Sequence, residues 1–592
     1  MSVSFWKAEN SIPIEQTSKS VPVVNGLNFT GGQEVRIKVP PTTKFIKPDE
    51  CYLQGDFKIQ LPDLATHEAT RLQLDARLGG QSLIRDIRVY TSAEFGSVLL
   101  EEIQGYNSMV SIMRDYDTND SDKRKRAMTE GATIWIPETR GTLGTTRSEC
   151  ADTFTNPYSK ETFTGGDKTD DFDNDSFLSC KLCLPLETGI FRSKKIWANM
   201  YTGLEVVITL EEPSACLTQL DNVSRHKRQR LNPVFHSLNG SITAPNDWAN
   251  NSSTDEFFIH PEINSNYTPK SCGFVVGERI NFVKPDGSQN AGFSATAKIG
   301  AIERVEVDDG SGSNNVPLIK ITLTAEVKNT GGHDIEKGSW FMYSDSVLAS
   351  PSGKYDAKYT FSNVELVVQE VDMGSNYVND MLSRMKESGS IITDILSVSN
   401  YRYSQSAGDI VANIRLPLNQ SRAKAILSQP TDSSPYDSKE RIGAKGTYDV
   451  GANADEDGQL LAGDQFRGIS DSITDYQFVY DGRLQPSRPV NCEKTSSKTS
   501  ISAQPIIEVQ KALVQSGINV KSLSDFNRNF VIGRALSLSA MGVEGVYDTR
   551  NKDFNLQVNY QGTTPTKNKL WNNFVFHLRR VVIKGDNVSV IV

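Results

Sequence analysis

The sequence predicts an all-β protein built as two successive antiparallel sandwiches or barrels, and three observations predict it. Apolar residues recur with a period of two in many short runs, the signature of strands with one buried face. Those runs fall in two blocks, about 30–373 and 389–592, joined by a helical stretch that begins at Ser375. The chain of 592 residues is also several times the usual size of one domain, so two or more cores are expected.

In chain order, Val35, Ile37 and Val39 alternate with Glu34, Arg36 and Lys38, and Phe57, Ile59 and Leu61 with Asp56, Lys58 and Gln60. Similar runs are Ile319-Ile321-Leu323-Ala325-Val327, Val364-Leu366-Val368, Ile414-Leu416-Leu418, Phe554-Leu556-Val558-Tyr560 and Phe574-Phe576-Leu578. The last is followed by Val588, Val590 and Val592. One polar face per strand fits antiparallel sheets, since parallel sheets bury both faces. Three helices are expected. Leu99, Ile103, Tyr106, Met109 and Met113 define one over Ala93–Met113, although Gly96 and Gly105 weaken it. Tyr377, Met381 and Met385 define a second over Ser375–Glu387, with Ser375 able to cap it. Pro505, Ile506, Val509 and Leu513 define a third over Ala503–Val514.

Three loop-rich stretches interrupt the strands. Cys150–Ser176 is polar and acidic, and Gln429–Ser470 is rich in Gly, Asp and Ser. The segment from about Cys216 to Tyr355 contains short strands of its own between Cys272 and Tyr343, which reads as a small all-β insertion. No repeat of 20–50 residues suggests a solenoid or propeller.

No apolar run approaches the roughly 20 residues that span a bilayer. Met1–Asn10 has neither the basic segment nor the apolar stretch of a secretory signal, so synthesis as a soluble protein is expected. Seven cysteines are sparse and odd in number, and only Cys180 and Cys183 form Cys-x-x-Cys. No second pair or matching histidines complete a zinc site, and Leu182, Leu184 and Leu186 place that pair on a strand; buried reduced thiols are the better reading. A net charge of −9 argues against wrapping nucleic acid by phosphate neutralisation.

Motifs with chemical potential are weak. Asp171, Asp173 and Asp175 start like a calcium loop, but Ser176 stands where Gly is required and Leu182 where the closing Glu should be. Asp455, Glu456 and Asp457 read likewise as a solvated acidic loop. Lys123-Arg124-Lys125-Arg126 and Arg225-His226-Lys227-Arg228-Gln229-Arg230 are either solvated loops or signals for import or phosphate contact; Asp115, Asp117, Asp120 and Asp122 favour the former for the first cluster. His67, His226, His236, His260, His333 and His577 are scattered, and Gly310-Ser311-Gly312 reads as a turn. No zinc-hydrolase, nucleophile-elbow or phosphate-loop motif occurs. Asn28, Asn251 and Asn266 start glycosylation sequons that matter only in a secreted chain. No catalytic, cofactor-binding or metal-ligating residue is singled out. Phe5 and Trp6 leave Met1–Phe29 open as a docking arm or a frayed terminus.

Several segments, in order, resemble the double jelly-roll major capsid proteins of virophages and polinton-like viruses. They are IRDIRVYTSAEFGSVLLEEIQGYNSMVSIMRD (Ile84–Asp115), LPLETGIFRSKKIWANMYTGLEVVITL (Leu184–Leu210), YTFSNVELVVQEVDM (Tyr359–Met373), YQFVYDGRLQPSRPV (Tyr476–Val490) and the end of the chain from Leu570 to Val592. The resemblance covers most of 30–216 and 356–592. It implies two tandem jelly-roll barrels with an all-β insertion in the first and a few short helices. The implied division is an N-terminal arm (1–29), first jelly roll (30–216), inserted tower (217–355), closing strand and linker helix (356–388) and second jelly roll (389–592). It further implies a non-enzymatic homotrimer whose pseudo-hexagonal capsomers tile an icosahedral virion around double-stranded DNA. Expected partners are the chain itself, a vertex penton protein and minor cement proteins, with an internal membrane left open, no sequence-specific nucleic acid and no cofactor. Two rivals share the strand pattern. A carbohydrate-binding or carbohydrate-cleaving sandwich would need an aromatic groove, which six Trp argue against; a trimeric adhesin or fibre would need shorter repeating units.

Overall fold

The computed structural model describes residues 15–60, 71–75, 78–92, 97–119, 122, 126, 129–131, 159–161, 180–220, 232–236, 248–259, 280–283, 290–291, 298–308, 315–335, 341–344, 358–432, 466, 468–470, 473–492, 503–521, 529–537, 546–560, 565, 568–584 and 587–592.

The first block supplies β1 (Glu15–Pro22), β2 (Glu34–Val39), β3 (Tyr52–Gln60), β4 (Ile84–Tyr90), β5 (Leu99–Gln104), β6 (Cys180–Pro185), β7 (Leu204–Leu210) and β8 (Lys358–Asp372). They pair in the orders β1-β8-β3-β6 and β2-β7-β4-β5, all antiparallel. The second block supplies β9 (Ile391–Gln405), β10 (Val411–Leu416), β11 (Ala423–Asp432), β12 (Ile473–Tyr480), β13 (Arg483–Asn491), β14 (Ile532–Ala535), β15 (Phe554–Tyr560) and β16 (Lys569–Lys584). Their orders are β9-β16-β11-β14 and β10-β15-β12-β13, again antiparallel. In each block the first strand meets the eighth, the eighth the third and the third the sixth, while the second, seventh, fourth and fifth form the facing sheet. That order is a jelly roll, and it occurs twice. The two-barrel fold expected from the sequence is therefore present, with each strand of the first barrel matched by the strand eight places later.

Local chemistry explains the elements. β10 buries Ala412, Ile414 and Leu416 and exposes the residues between, and β2 alternates in the same sense. Asp481 and Gly482, at φ 50° and 72°, close the β12–β13 turn, where positive φ matches the twist of a hairpin. The long central strand β16 pairs with β9 from Ile583 opposite Ile391 to Lys569 opposite Gln405. One contiguous apolar core runs through both barrels, with Ile37, Val206 and Leu366 in the first and Leu427, Leu556 and Phe576 in the second.

Three helices of more than one turn are described: α1 (Tyr106–Asp117), α2 (Gly374–Ser388) and α3 (Ala503–Gln515). α1 lies between the fifth and sixth strands of the first barrel, and α3 between the corresponding strands of the second. α2 links the barrels and packs Tyr377 edge-on against Phe45. Between β7 and β8 lies a seven-stranded sheet, which includes Asn232–His236, Ser253–Ile259 and Asn315–Lys328 and has Trp248 and Phe257 in its interior. It therefore starts before the Cys272–Tyr343 stretch that the sequence marks. Leu217–Leu220 pairs instead with Arg71–Leu74 of the first block.

Three expectations need correction. The helix expected over Ala93–Met113 is instead a strand, β5, followed by α1: Gly105, at φ 66°, lets the chain turn sharply between them, and apolar spacing across the break mimics one helical face. Ser375 does not cap α2; its N-cap is Met373, and the Asp372 carboxylate accepts from the Gly374 amide at 2.9 Å. Glu15–Pro22 and Asn28–Phe29 pair with β8, so that part of the expected arm belongs to the barrel. Phe5 and Trp6 lie outside the described residues.

Candidate functional site: the junction between the barrels

The barrels meet edge to edge. β5 is the outer strand of one first-barrel sheet and β9 the outer strand of one second-barrel sheet. Glu101 on β5 is fully buried, and its carboxylate accepts from the Gly189 and Ile190 amides at 2.8 and 3.1 Å and from Ser397 Oγ of β9 at 2.8 Å. Burial pushes the Glu101 carboxyl up from its ordinary range, while those donors and the nearby Arg579 charge act against it. Arg579 Nη1 donates to the Leu100 carbonyl at 2.7 Å and Asn400 Nδ2 to the Gln104 carbonyl at 3.0 Å. Gly189 fits because it has no side chain: a Cβ there would sit 2.3 Å from the Leu396 carbonyl oxygen.

α1 forms the second half of the junction. Nearly every side chain of this helix is buried, and on one side it meets the segment after α3. The centre of that contact is Asn529, with no exposed surface. Its Nδ2 donates to Ser111 Oγ at 3.1 Å and to Asp115 Oδ2 at 2.7 Å, both on α1. Its Oδ1 accepts from Gln429 Nε2 of β11 and from the Gly468 amide, each at 2.8 Å. Tyr116 Oη donates to the Asn529 carbonyl at 2.9 Å, and the Lys521 amide to the Tyr116 carbonyl at 2.8 Å. Also from α1, Arg114 bridges Glu130 and Glu187 at 3.1 and 2.9 Å.

An apolar contact tolerates sliding, whereas directional hydrogen bonds between buried groups hold one geometry. The arrangement therefore fixes the orientation of one barrel on the other.

The residues marked in the sequence are placed differently. Arg126 of the first basic cluster is buried and pairs with Glu130 at 3.2 Å; Lys123, Arg124 and Lys125, and all of Arg225–Arg230, lie outside the described residues. Asp122 pairs with Lys521 at 2.6 Å across the junction. Asp120, Asp171, Asp173, Asp175, Asp455, Glu456, Asp457 and Gly310–Gly312 lie outside the described residues, as do His67, His226, His260 and Asn266. Asn28 and Asn251 are exposed. His577 is buried in β16, 3.0 Å from Ser399 Oγ, and burial, with Arg579 and Arg422, pushes its pKa down to about 3. Cys183 sits on β6, as its leucine neighbours suggest, Cys51 and Cys492 are buried thiols, and Cys216 is buried with its Sγ donating to the Glu212 carbonyl. Among the described residues, no three His, Cys, Asp or Glu side chains gather as metal ligands, and no helix is long and apolar enough to cross a membrane. Sequence reasoning misses Glu101, Gly189 and Asn529. Glu101 carries a signal, as an acid within the apolar run Leu99-Leu100-Glu101-Glu102-Ile103; Asn529 carries none.

Two jelly rolls in one chain, locked at a buried polar seam, define a double jelly-roll protein. No protein-family model and no curated protein matches the sequence. Among solved structures, the chain is similar to PBCV-1 VP54 as fitted into a reconstruction of the virophage Sputnik, at 9% identity and TM-score 0.45, covering 99% of each chain. It is also similar to the Faustovirus major capsid protein, at 8% identity and TM-score 0.45, covering 96% of this chain and 90% of that one. The mavirus major capsid protein matches at 9% identity and TM-score 0.35, over 97% and 90% of the two chains. The fold assignment itself rests on the strand order.

Proposed function

We propose that this chain is the major capsid protein of an icosahedral double-stranded DNA virus, a non-enzymatic subunit that forms homotrimeric pseudo-hexagonal capsomers. The observation that carries the reading is the twice-repeated jelly roll locked at Glu101 and Asn529. Two similar barrels held at one angle give a trimer six similar edges, and such an outline tiles a shell with one chemical species. On this reading the protein resides in the virion, its main partner is itself, and a penton protein and minor cement proteins complete the shell; the 217–355 segment stands on the capsomer as a tower. Negative-stain imaging and light scattering of the purified chain test the proposal. Hexagonal particles of three times 65.4 kDa are expected, and a stable monomer at high concentration overturns it.

A further inference from the structure

Strand register places the long acidic segments of this chain at one end and its linker helix at the other. β8 begins at Lys358, opposite Gln60, and finishes at Asp372, opposite Glu15, so the tower joins the end of the barrel away from α2. β6 starts at Cys180, opposite Phe57, and the acidic stretch before it joins the tower end as well. In the second barrel Asp432 lies opposite Lys569, which lies opposite Gln405, at the far end of β9 from Ile391. The Gln429–Ser470 stretch leaves from there.

At the linker end cations gather. Asp394, near the start of β9, accepts from two guanidiniums at once. Arg580 of β16 donates from Nε to Oδ1 at 2.9 Å and from Nη2 to Oδ2 at 3.0 Å. Arg422, which precedes β11, donates from Nη1 and Nη2 to Oδ1, each at 3.1 Å. From the first barrel, Lys195 Nζ donates to the Asp394 carbonyl at 3.1 Å, and Lys194 beside it is exposed. Among the described residues, Asp394 is the one acid whose charge acts on Arg580. The acids of the tower end do not offset this cluster. From Asp394 to Gln405 the strand runs about 36 Å at roughly 3.3 Å per residue, several times the Debye length of about 8 Å.

We propose that Lys195, Arg422 and Arg580 form a binding site for the phosphate group of a monoester, entered from the end of the molecule opposite the tower. Arg580 leaves Nη1 outside its pairing with Asp394, and its side chain is 35% exposed, against 13% for Arg422 and 16% for Asp394. The cluster is thus closed on one side and open to solvent on the other. A planar guanidinium with spare N–H groups matches the oxygens of a phosphate, which accept two parallel bonds. Charge selects the class: three cations around one carboxylate favour a monoester, at about −1.5 to −2 near neutral pH, over the singly charged diester of a nucleic-acid backbone. The net charge of −9 also opposes binding along a nucleic acid. The bound group spans the seam, because Lys195 comes from the first barrel and both arginines from the second. No run of basic residues marks the site in the sequence, and the site is independent of the capsid reading.

The test uses the full chain with methyl phosphate, a monoester, and dimethyl phosphate, a diester, at mildly alkaline pH and low salt. Isothermal titration should give one methyl phosphate per chain, with dimethyl phosphate at least about tenfold weaker. Lys195→Gln leaves Asp394 paired with both arginines and should weaken methyl phosphate about tenfold. Asp394→Asn should tighten it several-fold, since a competing carboxylate is gone; a merely structural cluster would lower the melting temperature with no gain in affinity. Vesicle flotation separates the sources of the phosphate. Capture by phosphatidic acid in phosphatidylcholine, reversed by methyl phosphate, assigns a lipid headgroup, whereas methyl phosphate binding without capture assigns a soluble monoester. A wild-type chain that binds neither probe, or binds both equally, overturns the proposal, as does unchanged affinity in Lys195→Gln. The capsid reading stands in each of those cases.

Discussion

Replacing Asn529 by alanine tests whether the barrels are locked by a polar seam. The substitution leaves the buried Gly468 amide without its acceptor, a loss of about 1–3 kcal/mol. It also removes a donor 2.7 Å from the Asp115 carboxylate, and a hydrogen bond to a charged group contributes about 1.5–3 kcal/mol. Together these predict a loss of about 3–5 kcal/mol, in the range reserved for broken buried networks. Urea denaturation followed by tryptophan fluorescence reads both sides of the seam, because Trp197 is buried in the first barrel and Trp571 in the second. Equal protein concentrations are needed, since self-association adds to apparent stability. Asn413→Ala, at an exposed position on β10, is the control and should change nothing. A loss below about 1 kcal/mol for Asn529→Ala would refute the argument that the seam holds the barrels together.

Three further outcomes are expected. His577 is held neutral in the fold with its pKa near 3, against 6.5 when free, so the unfolded chain takes up a proton first as pH falls. Its contribution to stability is complete above about pH 6.5 and is lost between there and pH 3, by about 5 kcal/mol at 1.36 kcal/mol per unit; His577→Gln should flatten that acid limb in pH-dependent denaturation. Gly189→Ala forces a Cβ against the Leu396 carbonyl and should cost about 1–3 kcal/mol, measured by melting, whereas Gly332→Ala faces open space and loses only through its backbone angle. Burial pushes the Cys51 thiol up to about 11 and the Cys492 thiol up to about 12, so iodoacetamide at neutral pH should label both only after unfolding; peptide mapping that finds either one modified in the native protein would contradict their burial.

The strands are the legible part of this sequence. The alternation at Val35-Ile37-Val39 or Ile414-Leu416 states which face is buried, because period two maps directly onto a pleated surface. The recurring positions Tyr377, Met381 and Met385 mark α2 in the same way, through the helical period, and Gly389, at φ 73°, ends it where a left-handed residue is needed. β5 reads as helix because a strand and a helix in succession can imitate one helical stripe, and only Gly105 betrays the join. The seam is illegible for a different reason. Glu101 and Ser397 lie 296 positions apart, as Asn529 and Asp115 lie 414 apart, and no local pattern records that two polar side chains share a buried volume.

The hydroxyl of Tyr359 donates to the Glu211 carbonyl at 2.7 Å, although 148 positions separate them. The excursion from the barrel thus leaves and returns through stems pinned side by side. Whatever is spliced between those stems adds no tension to the barrel, so this site is a socket in which segments of very different length can be exchanged while the sheets beneath keep their shape.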